Sequence, residues 1–218
     1  MEATAPPPAD KPLLRGVSHE VAAALALSAW VALAVLAPGA RARLAANVYG
    51  ASLFSLFAAS ALYHRPRWPR RARKWLRRVD HSAIFLLIAG SYTPFCLLLP
   101  PSRGLPMLAV AWAGAALGIA QAVFWVGAPR AVSVALYLVL GWLVVPLVPA
   151  LRATLGAPAV VLLAAGGVLY TLGAVVYAAR RPDPFPRVFG YHEVFHAMVI
   201  AAAACQLAVV AGALRAMG

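Results

Sequence analysis

The sequence has few charged residues for its length. Only 11% of the 218 residues are Asp, Glu, Lys or Arg, whereas 63% are hydrophobic, and the mean hydropathy is +0.82. A typical soluble domain has about 25% charged and about 45–50% apolar residues. The low charge therefore excludes a soluble globular protein of this size and leaves almost no length for a soluble domain.

Acidic residues and cysteines are scarce as well. Six Asp and Glu residues oppose 19 Lys and Arg, which gives a formal charge of +13. The arginines lie between apolar runs and form no basic stripe interleaved with aromatic residues, so we expect them to face lipid headgroups and expect no nucleic-acid partner. Both cysteines, Cys96 and Cys205, lie inside apolar runs, where a thiol behaves as a small hydrophobe. We infer no disulfide framework and no redox role.

Long apolar runs occupy most of the chain. A helix needs about 20 mostly apolar residues to span a membrane, and the sequence contains seven runs of about that length. They have no period-2 alternation, so they predict helices rather than the strands of a barrel. Pro94 and Pro146 lie inside two of the runs and are expected to kink them. The predicted spans are about 20–37, 44–63, 80–99, 105–126, 131–149, 157–179 and 191–214.

The chain is predicted to have one folded domain. Residues 1–16 are rich in Pro and Ala and carry mixed charges, which predicts a flexible N-terminal tail. Residues 17–218 form a single seven-helix transmembrane domain in this interpretation. The first apolar run is also compatible with a signal peptide, but acidic residues precede it and further apolar runs follow, which favours a membrane span.

The distribution of basic residues predicts an orientation. The N-terminal tail and segments 64–79, 127–130 and 180–190 together hold 14 Lys and Arg residues, and the segments on the other side hold five. Basic residues are enriched in cytoplasmic loops. We therefore expect a cytoplasmic N-terminus and, with seven spans, an extracytoplasmic C-terminus.

Polar and ionisable residues near the ends of the apolar runs are few, and each is a functional candidate because polar groups are costly at membrane depth. They lie at the end of the second span and at the starts of the third and seventh spans, which the predicted topology brings to the same side of the membrane. These residues are Ser60, His64, Asp80, His81, His192, Glu193 and His196.

The spacing of three histidines is typical of a metal site. His192 and His196 are four residues apart, so they share one face of a helix and can bind one metal ion. A third imidazole from His64 would leave the fourth position of a tetrahedral Zn²⁺ for water, which is the arrangement of a catalytic site. Such an ion lowers the pKa of its water to about 7. Asp80 could orient that water or accept its proton, and Ser60 could hydrogen-bond the water, a substrate carbonyl or a ligand.

Each of these residues also has a simpler interpretation. Asp80 is a good N-cap for a third span that begins beside it. His64 could lie in the membrane interface next to Arg65, and the Ser60 hydroxyl could bond to its own helix backbone. The same-side convergence of the three helix ends favours the metal site over these separate roles.

The segment from His192 to His196 also matches the H-E-x-x-H motif of metalloproteases, in which the glutamate is the general base. An intramembrane protease that uses Glu193 is therefore an alternative, although a glutamate in the first turn also suits the helix dipole. His81 is expected to support a ligand or to pack. His19 lies ahead of the first predicted span and is expected to be solvated.

Three ordered motifs resemble the hemolysin III family, the bacterial branch of the progestin and adipoQ receptor group. They are the Ser-Ala-Leu-Tyr-His segment 60–64, the segment 80–94 that begins Asp-His-Ser-Ala and ends Tyr-Thr-Pro, and the Gly-Tyr-His-Glu-Val-Phe-His segment 190–196. The resemblance covers essentially the whole chain outside the tail. It implies seven helices, a cytoplasmic N-terminus and a zinc site. It assigns the ligand role to His64, His192 and His196, a water-mediated role to Asp80, and the place of the family's motif serine to Ser60.

The resemblance also implies a function. The wider group includes alkaline ceramidases, and its bacterial members are associated with membrane-lipid homeostasis. We therefore expect a zinc-dependent hydrolase of a lipid amide or ester in the plasma or inner membrane, with a membrane lipid as substrate; the sequence predicts no oligomeric state. The alternatives are a non-enzymatic zinc-containing sensor or receptor and the protease that uses Glu193. A retinal-binding pump is disfavoured, because span seven has no lysine.

Overall fold

A computed structural model describes residues 11–218 of the chain. The described residues form helices and no β-strand, and seven helical segments are long and apolar enough to span a membrane. The predicted all-α, seven-span fold is therefore confirmed. The helices are α1 (Val17–Leu36), α2 (Ala40–His64), α3 (Arg70–Leu98), α4 (Pro101–Phe124), α5 (Arg130–Trp142), α6 (Val148–Leu155), α7 (Ala157–Ala179) and α8 (Tyr191–Arg215).

The fifth span consists of two helices. A short 3-10 helix, Val145–Leu147, joins α5 to α6, and the whole span covers Arg130–Leu155. Pro146 lies in this 3-10 turn. Because proline has no backbone N–H to donate, it interrupts the helical hydrogen-bond ladder, so the kink expected there is a break between two helices. In contrast, α3 continues as one helix through Pro94.

Helix α3 begins much earlier than its apolar run. It starts at Arg70, ten residues before the predicted span, and the intervening residues are mostly Arg, Lys, Ala and Leu. These residues favour helix, but their charge hides them from a search for apolar runs. Asp80 consequently lies in the third turn of α3, and the alternative that made it the N-cap of the helix is wrong.

Helix α3 occupies the centre of the bundle. It contacts α2, α4, α5 and α8, and the pairs α1–α2 and α7–α8 pack along their lengths. The outer helices leave large apolar side chains exposed, including Val35, Leu117, Phe124 and Val161. Exposed apolar surface of this extent is typical of a protein that faces lipid.

The segment before α1 is attached to the segment before α8. The backbone N–H of Leu13 donates to the carbonyl of Arg187 at 3.0 Å, and that of Leu14 donates to the carbonyl of Val188 at 3.2 Å. Residues 1–10 of the predicted flexible tail lie outside the described residues. Residues 11–16 instead connect the starts of the first and last helices at one end of the bundle.

Candidate metal centre

Three histidine side chains meet where α2 ends and α8 begins. His64 is the last residue of α2, and His192 and His196 lie on one face in the first two turns of α8. One ring nitrogen of each lies within 4.8 Å of the others, and the Nε2 atoms of His64 and His192 are 3.2 Å apart. The structure thus brings together the three residues that the sequence predicts as metal ligands, and the group could hold a metal ion.

Two of the three donors lie at a spacing that a zinc ion could bridge. Two nitrogens bound tetrahedrally at about 2.0–2.1 Å from zinc are about 3.3 Å apart, close to the 3.2 Å between His64 and His192. His196 is 1% exposed, and its Nδ1 atom is buried with no hydrogen-bond partner among the described residues. Neutral imidazole is a preferred ligand for zinc, so this cluster is chemically compatible with the ion.

Asp80 lies beside the histidine cluster, three turns into α3. Its Oδ2 atom is 3.9 Å from Nε2 of His64, and about an eighth of each side chain is exposed. This distance is too long for a direct hydrogen bond and matches a gap that a water molecule could bridge. Asp80 therefore lies next to the potential metal ligands but does not belong to the three-histidine group.

Ser60 makes contact with a histidine that the sequence analysis left aside. Its hydroxyl is 2.8 Å from Nδ1 of His19, and the His19 ring stacks on His196 with 3.7 Å between centroids and 10° between planes. His19 is only 2% exposed, so the expectation that it is solvated was wrong. Helix α1 begins at Val17 and places His19 in its first turn, facing the cluster. The position of His19 in the sequence does not by itself indicate that its side chain faces the cluster.

Glu193 is engaged in contacts that stabilise the start of α8. It is 2% exposed, and its Oε2 atom accepts the backbone N–H of Gly190 at 2.9 Å. Its Oε1 atom forms an ion pair with Arg15. The carboxylate therefore caps its own helix and holds the N-terminal segment, and both oxygens are occupied.

The cluster opens into a large cavity within the bundle. The cavity has a volume of about 1100 Å³ and contains His64, Asp80, His192 and His196 in its wall. Apolar residues of α3, α5, α7 and α8 line its deeper part: Ile84, Leu87, Leu138, Val160, Leu163 and Val199. His81 lies in the same wall, 3.5 Å from the Tyr137 hydroxyl, and does not join the three histidines.

Seven apolar helical spans with a buried three-histidine group at one end define a multi-pass integral membrane protein that could bind a metal ion. Comparison with known proteins agrees with this class. The chain belongs to the hemolysin III family, since the family model described as Haemolysin-III related matches residues 9–207.

Relatives in bacteria and mammals are similar over most of the chain. Hemolysin-3 of Bacillus cereus is 34% identical over 196 residues, covering 88% of this chain and 86% of that protein. The Hemolysin-3 homolog of Bacillus subtilis (strain 168) is 31% identical over 88% of this chain and 89% of its own length. Monocyte to macrophage differentiation factor of Homo sapiens is 29% identical over 74% of this chain and 67% of its own. The predicted family is confirmed. The predicted location in the plasma membrane is consistent with the similarity to the bacterial relatives.

Proposed function

We propose that the protein is a zinc-dependent hydrolase that cleaves an amide or ester bond of a membrane lipid, as part of membrane-lipid homeostasis. The observation that carries this proposal is the shared cavity: one apolar space of about 1100 Å³ is bounded at one end by three histidines and a carboxylate. A lipid chain fits an apolar cavity, and the reacting bond would lie at the polar end. A cytoplasmic N-terminus, as the arginine distribution predicts, would place that end near the cytoplasmic face.

The residues have distinct roles in this proposal. His64, His192 and His196 hold the zinc ion, which when bound polarises a carbonyl and activates water. Asp80 orients the attacking water through its Oδ2 atom and accepts the proton that the water loses. Ser60 acts through His19: its hydroxyl fixes that ring, and the stacked ring restricts the orientation of His196. The apolar wall excludes bulk water from the lipid chain.

The contacts of Glu193 weigh against an intramembrane protease. A general base must reach the water it deprotonates, whereas both oxygens of Glu193 are committed, one to Arg15 and one to the backbone of Gly190. Among the described residues, Asp80 forms no ion pair with an arginine or lysine, and its Oδ2 atom lies 3.9 Å from Nε2 of His64. Asp80 is therefore the better general base.

The test compares two isosteric substitutions. Wild type, Asp80→Asn and Glu193→Gln are purified in detergent and incubated with lipid amides, lipid esters and a membrane peptide. We expect fatty-acid release by wild type, a loss of about 10²–10⁴-fold in rate for Asp80→Asn, and activity near wild type for Glu193→Gln. Zinc content, measured on the same samples, should be unchanged by Asp80→Asn, because the three imidazoles remain.

Other results would assign another function. Peptide cleavage that disappears in Glu193→Gln would identify a protease. A zinc-containing protein that releases no product from any substrate would be a sensor or receptor, and its phenotype would then follow zinc retention rather than the Asp80 carboxylate. Fatty-acid release that Asp80→Asn leaves unchanged would remove Asp80 from the mechanism.

A further inference from the structure

Two arginines lie in the cavity wall beside the histidine cluster. Arg77 is on α3, one turn before Asp80, and Arg130 is the first residue of α5. Both line the same cavity as His192. The early start of α3 is what places Arg77 there, because a residue three positions before Asp80 shares its helix face.

Neither guanidinium is neutralised by an ion pair. Within residues 11–218, no carboxylate oxygen lies within 4.0 Å of Arg77 or Arg130. The Nη1 atom of Arg130 is buried and has no hydrogen-bond partner in that part of the chain, while its guanidinium lies 5.3 Å from the ring centroid of Tyr177. An unpaired buried guanidinium N–H is costly, so a ligand that supplies an acceptor to Arg130 would be stabilised here.

The surrounding wall is strongly positive. Asp80 is the only carboxylate among the described residues that line the cavity, and four more basic residues lie in the same wall, namely Lys11, Arg15, Arg67 and Arg73. Partial burial lowers the pKa of Lys11, and the positive charges of Arg15, Arg65, Arg73 and Arg67 lower it further. Positive charge is therefore crowded at this end of the cavity.

We propose that Arg77 and Arg130 bind a phosphate-type oxyanion, carried as the headgroup of a lipid whose acyl chain occupies the apolar part of the cavity. Guanidinium groups bind phosphate oxygens through paired, charge-assisted hydrogen bonds, and the apolar surroundings strengthen them. The hydroxyl of Tyr137 and the ring of His81 lie in the same wall and could supply further polar contacts. Free phosphate has the same chemistry as the headgroup and would occupy the same site.

Binding of a phosphate by Arg77 and Arg130 does not depend on hydrolysis. That the substrate of the enzyme is an acyl lipid bearing a phosphate rests on the proposed function. Its acyl carbonyl would lie towards the histidines while the phosphate lies on the arginines.

The experiment measures binding rather than turnover, so an inactive protein still reports the result. The full chain in neutral detergent is titrated with a monoacylglycerol phosphate and with the monoacylglycerol of the same acyl chain. We expect the phosphate-bearing lipid to bind at least about tenfold more tightly, since each charge-assisted bond to a partly buried guanidinium contributes about that much. Inorganic phosphate, added as a competitor, separates the two sources of the oxyanion.

Matched variants locate the site. Arg77→Gln and Arg130→Gln should each weaken binding of the phosphate-bearing lipid about tenfold or more and leave binding of its neutral counterpart unchanged. Arg71→Gln is the control, because Arg71 is an exposed arginine on the same helix and does not line the cavity. The wild-type comparison needs no substitution, so it decides the question even if a variant fails to fold.

The outcomes are distinct. Equal affinity of wild type for the two lipids, or an equal loss of binding in Arg71→Gln, would overturn the proposal. Tight binding of inorganic phosphate that displaces the lipid phosphate would support the oxyanion site and assign it to free phosphate. Preference for the lipid phosphate with no measurable hydrolysis would support the site while contradicting the proposed enzyme.

Discussion

The ion pair between Arg15 and Glu193 is expected to stabilise the end of the bundle where α1 and α8 begin. Glu193 is 2% exposed, and about a fifth of the Arg15 side chain is exposed. Removing one partner of a fully buried pair costs about 3–5 kcal/mol. Because solvent partly screens Arg15, we expect Arg15→Gln to lower the free energy of unfolding by about 2–3 kcal/mol.

The double-mutant cycle isolates the pair. Glu193→Gln keeps an oxygen that can accept the N–H of Gly190, so it should cost about 1–2 kcal/mol. The double variant Arg15→Gln, Glu193→Gln no longer buries an unpaired charge, so its loss should be smaller than the sum of the two single losses by about 1–3 kcal/mol. The assay is unfolding of the purified protein in mixed micelles by a denaturing detergent at neutral pH.

A second ion pair at the same end provides the control. Arg65 and Glu20 are 2.7 Å apart, but their side chains are 44% and 57% exposed. Exposed pairs of this kind contribute about 0.2–1 kcal/mol. Strictly additive losses for Arg15 and Glu193, or an equal coupling for Arg65 and Glu20, would refute the reasoning from burial.

Three further expectations concern the metal, the orientation and the packing at the site. Elemental analysis of the purified protein should find about one zinc ion per chain, and the double variant His192→Ala, His196→Ala should lose it; zinc kept at the wild-type level would mean that the ligands are misassigned. Reporters fused to the two termini should give a cytoplasmic signal at the N-terminus and an extracytoplasmic one at the C-terminus, whereas matching signals would contradict seven spans. Gly16→Ala should destabilise the fold by about 1–2 kcal/mol through its left-handed backbone and also lower zinc content, because φ is +81° and a Cβ there would lie 2.9 Å from the Cβ of His64. Gly39→Ala, at φ +87° and ψ 174° with no atom within 4 Å of the added carbon, should also strain the backbone but keep its zinc.

The sequence was sufficient to predict which helix ends meet. In a bundle of seven antiparallel spans, the end of the second and the start of the seventh necessarily lie on the same side, and His64, His192 and His196 are among the few ionisable residues there. The spacing of four residues then placed two of them on one helix face. These arguments need only hydropathy and helix geometry.

The direction of the His19 side chain and the start of α3 were harder to predict. His19 faces the cluster because α1 starts at Val17, and a residue at the edge of an apolar run gives no periodic signal for its direction. Hydropathy places Arg77 in the polar segment 64–79 between two predicted spans, because charged helix formers and charged loops have similar hydropathy. Its position in the cavity wall became evident only from the start of α3 at Arg70.

The separation of the histidines along the chain has a consequence for biogenesis. At about 5–20 residues per second, a ribosome needs about 6–26 s to add the 128 residues between His64 and His192. During that interval His64 is part of the growing chain, but His192 and His196 have not been synthesised. The three-histidine group can therefore form only after α8 has been synthesised and inserted. A metal ion that needs all three histidines can bind only after that point.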